Sequence, residues 1–572
     1  MAKSFIDDVL NDLIFNHVDI SQVTFILPSI RAGNFLKNTL SELTDKTIFS
    51  PEILSIEEFI ENISLLKCSS NTELLFELYD VYLESTPPDI ADDFDGFCKW
   101  AQIILQDFNE IDRYLIPQNE IFSYLSAIKE VDHWSLSTEK SELVTNYLAF
   151  WQKLPQYYAV FTDNLISKGL GYQGLLYREA VEKLELFIQH NPGKHFIFIG
   201  FNALNTAEQR IIQELLHQGS ADVYWDVDAH FVNSKIHDAG LFARQHQQWQ
   251  YYHDNSFKWV ANNYVSAKNI RTISIPKNVG QAKYVGEILT EISIEHNNIT
   301  KTAVVLGDES LLMPVLHSIP KEIGQVNISM GMSLQLTPLA SLFDSLFVLH
   351  KIEKRSKLYY KDVLSILSNH FIAGLLNCSH TENVSVASNY ISNNNITHLD
   401  IHKLLDQFPS NKSLIALLFG DWKNDSQYAL ANCKHIIQAL KHHLSDHKTD
   451  HSLSLEYLFK FNKVFNQLSL LLSDFEHAKD IKTLITLYKE LLSSETLDFQ
   501  GEPLKGLQII GMLESRVIDF ETVIITSVNE GILPSGKGIS SFIPFDVKLE
   551  YGLPTYKEKD AVYAYHFYHL LQ

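Results

Sequence analysis

The sequence predicts an α/β protein with parallel sheets, built as two strand–helix blocks that are each interrupted by a long helical stretch. Buried-strand signals alternate with helical periodicity over residues 22–66 and 194–225, and residues 72–183 between them are helical almost throughout. A second alternation starts near residue 269, gives way to helical sequence, and resumes at residue 507. Such alternation favours strands joined by helical crossovers, and therefore parallel pairing.

The first block begins with a hydrophobic strand that ends at Pro28. A helical pattern follows, then a second strand that runs straight into a helix. Ser55 is predicted to be the N-cap of that helix, with Glu58 at its third position as in a capping box. The predicted elements are a strand over 22–28, a helix over 32–43, a strand over 52–55, a helix over 56–66, a strand over 194–200, a helix over 206–217 and a strand over 221–225.

The second block repeats this pattern after a change of composition near residue 266. Its predicted elements are strands over 270–275, 302–306, 326–330, 507–512 and 522–528, with helices over 280–294, 309–319 and 338–350. Residues 357–494 are predicted to be helical. The resulting domain boundaries are 1–88 and 191–265 for the first block, 89–190 for its insertion, 266–356 and 499–572 for the second block, and 357–498 for its insertion.

Composition restricts the class of protein. At 572 residues, with 45% hydrophobic and 20% charged residues, the chain is long enough for three or four globular domains. Its four cysteines are far apart and form no CxxC pair, and its start is acidic rather than a basic signal peptide. With no apolar run long enough for a bilayer, we expect a cytoplasmic protein without a membrane partner.

The formal charge of −23 works against tight, nonspecific binding of nucleic acid by the whole surface, because phosphate contacts dominate such binding. A local basic channel is compatible with this charge.

The most informative segment is 506–534, in which two β-rich runs bracket a short polar stretch. It resembles the superfamily 1 helicase motif that couples nucleotide to DNA, with Met512-Leu513-Glu514-Ser515-Arg516 in place of the usual His and Lys positions. This replacement of the His and Lys positions resembles the AddB branch of helicase–nucleases, in particular the PD-(D/E)xK nuclease family proteins of Bacteroidetes-like bacteria. Further segments that carry this resemblance are 27–33, 171–178, 199–205, 303–308, 326–331 and 528–531.

This resemblance implies two RecA-like lobes, each with an inserted helical subdomain, as in UvrD/RecB-like superfamily 1 helicases. An active motor of this kind needs a Gly-Lys-Ser/Thr loop after its first strand to hold phosphate and magnesium. The chain has Ser29, Arg31, Gly33 and Lys37 there, without that glycine scaffold. This stretch is either a residual anion or DNA-backbone contact or an ordinary strand-to-helix turn.

The other requirements of an ATPase are also missing. Ile199 and Gly200 occupy the positions where active relatives have metal-binding carboxylates, and neither can bind magnesium. No arginine follows Arg516 to stabilise a transferred phosphate. A metal-dependent nuclease site, which needs Pro-Asp followed by Asp/Glu-x-Lys, is not found either. We therefore expect a degenerate nucleotide site with no catalytic residue, no cofactor and no metal.

The resemblance also implies a biological setting: double-strand-break repair and homologous recombination together with an AddA-like motor subunit. The nuclease, with magnesium or an iron–sulfur cluster, is then expected beyond Gln572, and this chain is expected to be an N-terminal portion. Single-stranded DNA is the expected ligand, with Ser55, Arg516 and Arg31 as contacts. In the alternative, Ser55 only caps its helix and Arg516 pairs with Glu514 or Asp519. An active helicase and a protein–protein scaffold without DNA contact remain competing functions.

Overall fold

A computed structural model describes residues 4–43, 49–132, 142–295, 299–351, 357–377, 382–445, 451–474, 479–497, 505–534 and 540–572. The chain forms two compact units. The first unit contains Met1–Ser85, Ala101–Met330 and Phe499–Gln572, and the second contains Thr86–Trp100 and Gly331–Asp498.

The first unit contains a four-stranded sheet, called here the first sheet. Its strands, in spatial order, are Glu52–Ser55, Val23–Leu27, His195–Ile199 and Ala221–Tyr224, and all neighbours are parallel. Every residue of Val23–Leu27 is buried, as expected for a central strand covered on both faces. The helices Phe5–Phe15, Ile30–Leu43, Ile56–Ser64 and Thr206–His217 belong to this block.

A second four-stranded parallel sheet, the second sheet, lies in the same unit. Its strands, in spatial order, are Val326–Ile328, Leu507–Gly511, Thr302–Leu306 and Thr522–Thr526. Leu507–Gly511 therefore inserts between strands that precede it by almost two hundred positions. The helices Asn278–Glu295 and Leu312–Leu316 belong to this block.

The rest of the first unit is mainly helical. Its longer helices are Asn71–Ser85, Phe94–Arg113 (which begins in the second unit), Gln118–Asp132, Glu142–Ser167, Gln173–His190 and Tyr556–His569; shorter ones are Ala229–Asn233, Leu241–His246, Tyr251–Asp254 and Phe545–Glu550. Two small parallel pairs join Lys67–Cys68 to Leu170–Gly171 and Val227–Asp228 to Val260–Ala261. Tyr556–His569 is called the C-terminal helix below.

The second unit is helical, with two short antiparallel pairs. Its helices are Pro338–His350, Tyr360–Leu367, His370–Leu376, Val384–Asn393, Ile401–Gln407, Lys412–Phe419, Ser426–Leu444, Ser452–Asp474 and Ile481–Ser494. Met332–Ser333 pairs with Thr496–Leu497, and Leu358–Tyr359 pairs with His398–Leu399. In its core His350 stacks on Trp422, with ring centroids 4.0 Å apart.

The prediction of an α/β protein with parallel sheets is confirmed, since both larger sheets are parallel and helices separate their strands along the chain. The predicted strand over 270–275 is wrong: these residues form no strand, although Ile273 and Ile525 line a common groove of about 500 Å³. Periodicity signalled an extended segment, but a strand also needs a partner ladder.

The predicted helix over 309–319 is too long. Glu309–Leu311 is a 3₁₀ turn and only Leu312–Leu316 is α-helical. Pro320 disfavours helical backbone at Ile319, the last residue of the predicted helix, but the helix ends before the residue that this restricts.

No helix in the described ranges is long and apolar enough to cross a membrane.

Candidate functional site

A cavity of about 510 Å³ opens at the carboxyl ends of three neighbouring strands of the first sheet. Pro28, Ile56 and Gly200, which follow those strands directly, all line it. In open parallel sheets ligands bind at the carboxyl ends of strands, where connections lead away from the sheet. We call this space the polar cavity.

Besides the loop that follows Gly200, several other parts of the first unit contribute to the wall of the polar cavity. They include the last turns of Phe94–Arg113, the start of Gln173–His190, the loop residue Arg516 and one face of the C-terminal helix. The charged and polar side chains among the lining residues include Glu57, Gln106, Asn109, Glu110, Arg113, Gln173, Asn202, Asn205, Glu208, Arg516, Glu558, Lys559 and His566.

Two of the residues singled out in the sequence, Gly200 and Arg516, meet at this cavity. Ser29, Arg31, Gly33, Lys37 and Ile199 are not among its lining residues. Of the stretch that follows the first strand, Pro28 lines the polar cavity, whereas Ser29, Arg31, Gly33 and Lys37 do not.

Gly200 has no room for a larger residue. Its backbone is left-handed, with φ of +70°, and a β-carbon built there would lie 2.2 Å from Cγ2 of Val517. Val517 is itself buried and has φ of +64°, which is unusual for a β-branched residue. A carboxylate side chain at position 200 would collide with Val517 unless that contact were rebuilt. Ile199, the neighbouring residue, is fully buried. Positions 199 and 200 therefore have no metal-binding side chain, and position 200 has no space for one.

Arg31 is used within the protein. Its Nη2 donates a hydrogen bond to Oε1 of Gln508, at 2.7 Å, and its guanidinium lies 5.9 Å from the ring centre of Phe35. Burial lowers the pKa of Arg31, and nearby Glu514 opposes this effect. Arg31 therefore ties the start of its helix to the second sheet, and its predicted contact with DNA stays a prediction.

The other residues of that stretch are also used locally. Oγ of Ser29 accepts a hydrogen bond from the amide of Ala32, at 3.2 Å, and a β-carbon on Gly33 would lie 3.1 Å from Ile53. Lys37 is exposed on the helix Ile30–Leu43. These contacts are those of a strand-to-helix turn.

Ser55 is a helix cap. Its Oγ accepts a hydrogen bond from the amide of Glu58, at 3.2 Å, and the Glu58 carboxylate accepts one from the amide of Ser55, at 2.8 Å. The predicted capping box is thus confirmed. Ser55 is 4% exposed, so a DNA contact through its hydroxyl stays a prediction.

Arg516 has no hydrogen bond and no ion pair among the described residues. Glu514 and Asp519, the two carboxylates with which Arg516 could have formed an ion pair, accept hydrogen bonds from other groups. The Glu514 carboxylate accepts from the amide of Gly511 and from the hydroxyl of Ser329. Asp519 accepts from the amide of Phe5, at 2.8 Å. A guanidinium is thus held at the cavity wall without a counterion.

Three further polar groups at the cavity have buried atoms without a partner. They are Nε of Arg113, Nδ2 of Asn202 and Nδ1 of His566. An unsatisfied buried polar atom costs about 1–3 kcal/mol. His566 is 3% exposed, and burial, reinforced by Arg516 and His569, keeps its pKa well below the usual range. Each of these three side chains therefore keeps one nitrogen that is buried and has no hydrogen-bond partner.

The carboxylates around the cavity are mostly satisfied. Glu110 pairs with Lys548 at 2.7 Å. Glu208 accepts from the hydroxyl of Tyr177, at 2.8 Å, and caps its own helix; burial raises its pKa despite these bonds. Glu558 caps the C-terminal helix through Thr555. Glu57 is exposed in the first turn of its helix, where a negative charge is favourable.

The C-terminal helix is fixed against the first sheet by a buried ion pair. Nε2 of His569 lies 2.8 Å from Oδ2 of Asp226, and both side chains are almost fully buried. Burial disfavours a charged ring, but Asp226 outweighs it and raises the pKa of His569 to about 9. The hydroxyl of Tyr565 donates to the carbonyl of Asp226, at 2.7 Å. This anchoring sets the position of Lys559 and His566 on the same helix.

Sequence reasoning missed Arg113, Asn202, Lys559 and His566. Arg113 ends a long helix that looked like ordinary insertion sequence, and Asn202 lay unremarked two residues after Gly200. Lys559 and His566 lie seven positions apart on a helix, which places them on one face. That spacing was a usable signal, but only the fold reveals that the face is turned to a cavity.

Comparison with protein-family models finds no match for this chain, and no curated protein matches it at a significant level.

Proposed function

We propose that this chain is a non-hydrolysing, helicase-like scaffold that binds single-stranded DNA in a double-strand-break repair helicase–nuclease. In this proposal the two parallel sheets are the cores of two RecA-like lobes. The helical residues 89–190 and 357–498 are the insertions of those lobes. An AddA-like subunit would provide the motor, and a nuclease domain would lie outside these residues.

The observation that carries DNA binding is the unpaired guanidinium of Arg516 at the polar cavity. Arg516 is half-buried, so a ligand with a negative charge would replace part of the hydration that its guanidinium has lost. DNA phosphates are natural partners for arginine, because two oxygens of one phosphate match its parallel donors.

The absence of hydrolysis is supported by Gly200. Phosphoryl transfer in motors of this class depends on magnesium held by a carboxylate, and a side chain at position 200 would collide with Val517. Arg31, which the resemblance places in the phosphate-binding loop, donates to Gln508 through Nη2, while its Nε and Nη1 have no hydrogen-bond partner. The lack of space at Gly200 therefore carries this part of the proposal.

The test is a DNA-binding titration with a labelled single-stranded oligonucleotide, comparing the wild type with Arg516→Ala at several salt concentrations. Loss of one phosphate contact is expected to weaken binding similarly for different sequences and to reduce the salt slope by about 0.7–1. Arg210→Ala is the matched control, since Arg210 is exposed on Thr206–His217 and does not line the cavity. If Arg516→Ala and Arg210→Ala behave alike, Arg516 is not a DNA ligand.

A further inference from the structure

A second cavity of the first unit, with a volume of about 480 Å³, shares no lining residue with the polar cavity. Three parts of the chain line it: a loop over residues 236–238, a second loop that contributes Val528, Leu533 and Pro534, and the C-terminal helix. The helix contributes Asp560 and Ala564 together with the rings of Tyr563, Phe567 and Tyr568. We call this space the aromatic cavity.

The loop that contributes His237 to the aromatic cavity is held in place by Arg244. The Arg244 guanidinium donates hydrogen bonds to the carbonyls of Phe231, Ser234 and His237, at 2.9, 2.6 and 2.9 Å. The His237 ring also contacts the C-terminal helix, since its centre lies 4.6 Å from that of Tyr568. Two walls of the cavity are therefore fixed to each other, which lowers the cost of ordering them around a ligand.

The aromatic cavity carries negative charge without a counterion. Asp238 is exposed and Asp560 is half-buried, and neither carboxylate has a hydrogen bond or an ion pair within the described ranges. None of the described residues that line the cavity is a lysine or an arginine. Two unpaired carboxylates thus lie at a cavity whose other walls are mainly aromatic and aliphatic.

This combination selects a cationic ligand with apolar surroundings. The carboxylates would repel an anion, and a purely apolar ligand would remove their hydration without replacing it. A guanidinium suits both kinds of wall, because it is more weakly hydrated than an ammonium, stacks on aromatic faces and forms paired hydrogen bonds with carboxylates. The cavity volume of about 480 Å³ lies within the range of small-molecule sites, about 300–1,000 Å³.

The rim of the aromatic cavity indicates that this cation belongs to a polypeptide. Ile236 is 90% exposed and Val528 is 51% exposed, and both line the cavity. Apolar side chains left exposed around one cavity are typical of surfaces that a partner covers. Arginine is enriched at the centres of protein interfaces, and the formal charge of −23 attracts a basic partner.

We infer that the aromatic cavity receives an arginine side chain of a partner protein, with Asp238 and Asp560 neutralising its charge and apolar neighbours of that arginine covering Ile236 and Val528. The argument for this occupant is charge complementarity together with the aromatic walls. The inference goes beyond the proposed function, because Arg516 does not line this cavity.

The test uses the full chain and two fluorescently labelled peptides. One has the sequence Gly-Ala-Leu-Arg-Leu-Ala, and the other has citrulline, the neutral analogue of arginine, in place of the arginine. Dissociation constants are measured by fluorescence anisotropy. The citrulline peptide is expected to bind the wild type about tenfold more weakly, because it loses a charge-assisted hydrogen bond.

Three substitutions locate the site. Asp560→Asn should weaken binding of the arginine peptide about tenfold and leave binding of the citrulline peptide unchanged. Ile236→Ser should weaken binding of both peptides alike, because it removes an apolar contact and no charge. Asp254→Asn is the control, since Asp254 is an exposed aspartate of the first unit that does not line the cavity. Unchanged circular dichroism and melting temperature would establish that the variants fold.

Equal affinity for the two peptides, or no saturable binding of the arginine peptide, would overturn the inference. An Asp560→Asn variant that binds the arginine peptide as Asp254→Asn does would overturn it as well. Binding of a single-stranded oligonucleotide should be the same for the wild type and Asp560→Asn. The peptide and DNA titrations therefore fail independently, and each reports on one proposal.

Discussion

The buried pair between His569 and Asp226 gives a quantitative prediction about stability. Substituting His569→Gln keeps a neutral hydrogen-bond donor opposite Asp226 but removes the titrating ring. The raised pKa of His569, about 9 against an ordinary value of 6.5, means that the folded state holds this proton more tightly than the unfolded state. Because a tenfold change in proton affinity is worth about 1.4 kcal/mol, protonation of His569 stabilises the folded state by about 3 kcal/mol relative to the neutral ring.

The sign of the pH dependence follows from proton linkage. Below pH 6.5 both states carry the proton and the full contribution is present. Between pH 6.5 and about 9 only the folded state of His569 retains it, so the free energy of unfolding falls as pH rises. Above about pH 9 the contribution is lost. Since both side chains are at most 4% exposed, little of this effect should be screened by solvent.

The assay is urea unfolding followed by tryptophan fluorescence between pH 6 and pH 10, using the buried Trp225 beside Asp226 among the reporters. The stability difference between the wild type and His569→Gln should shrink by about 3 kcal/mol over this range. His195→Gln is the control, because it removes a contact of the same length, 2.8 Å to Asp222, at a solvent-exposed site. Exposed ion pairs contribute at most about 1 kcal/mol to the free energy of unfolding. A wild-type to His569→Gln difference that does not change with pH would refute the reasoning.

Three further predictions concern the packing at Gly200, ATPase activity and nuclease activity. Gly200→Ala should lower the free energy of unfolding by about 1–3 kcal/mol more than Gly219→Ala does, because of overpacking. Both glycines have φ of +70°, but of the two only Gly200 has another residue within reach of an added β-carbon. Equal losses of stability in denaturant titrations would contradict this prediction. Purified protein should show no DNA-stimulated ATPase, measured by phosphate release, and no magnesium- or manganese-dependent degradation of linear DNA. Turnover in the usual range of about 1–100 s⁻¹ would disprove the ATPase prediction. The nuclease prediction would be disproved by degradation that disappears on mutating Asp89, which follows Pro88 in a Pro-Asp pair, or Asp546, which begins an Asp-x-Lys triplet.

The sequence by itself determined the elements whose signals are local. The strand Thr302–Leu306 and the helices Thr206–His217 and Pro338–His350 have the predicted bounds, because apolar runs and alternations depend on neighbouring residues. The capping box of Ser55 and Glu58 is local for the same reason. The lack of carboxylates at Ile199 and Gly200 could also be read directly.

Only the tertiary structure decided which distant residues meet. Leu507–Gly511 lies between Val326–Ile328 and Thr302–Leu306, whereas residues 270–275 remain unpaired although they resemble a strand. Pairing is settled by partners far along the chain, which periodicity does not report. The polar cavity is the same case: Arg113, Asn202 and Arg516 lie in three distant segments with ordinary sequence surroundings, and only folding brings them to one cavity wall.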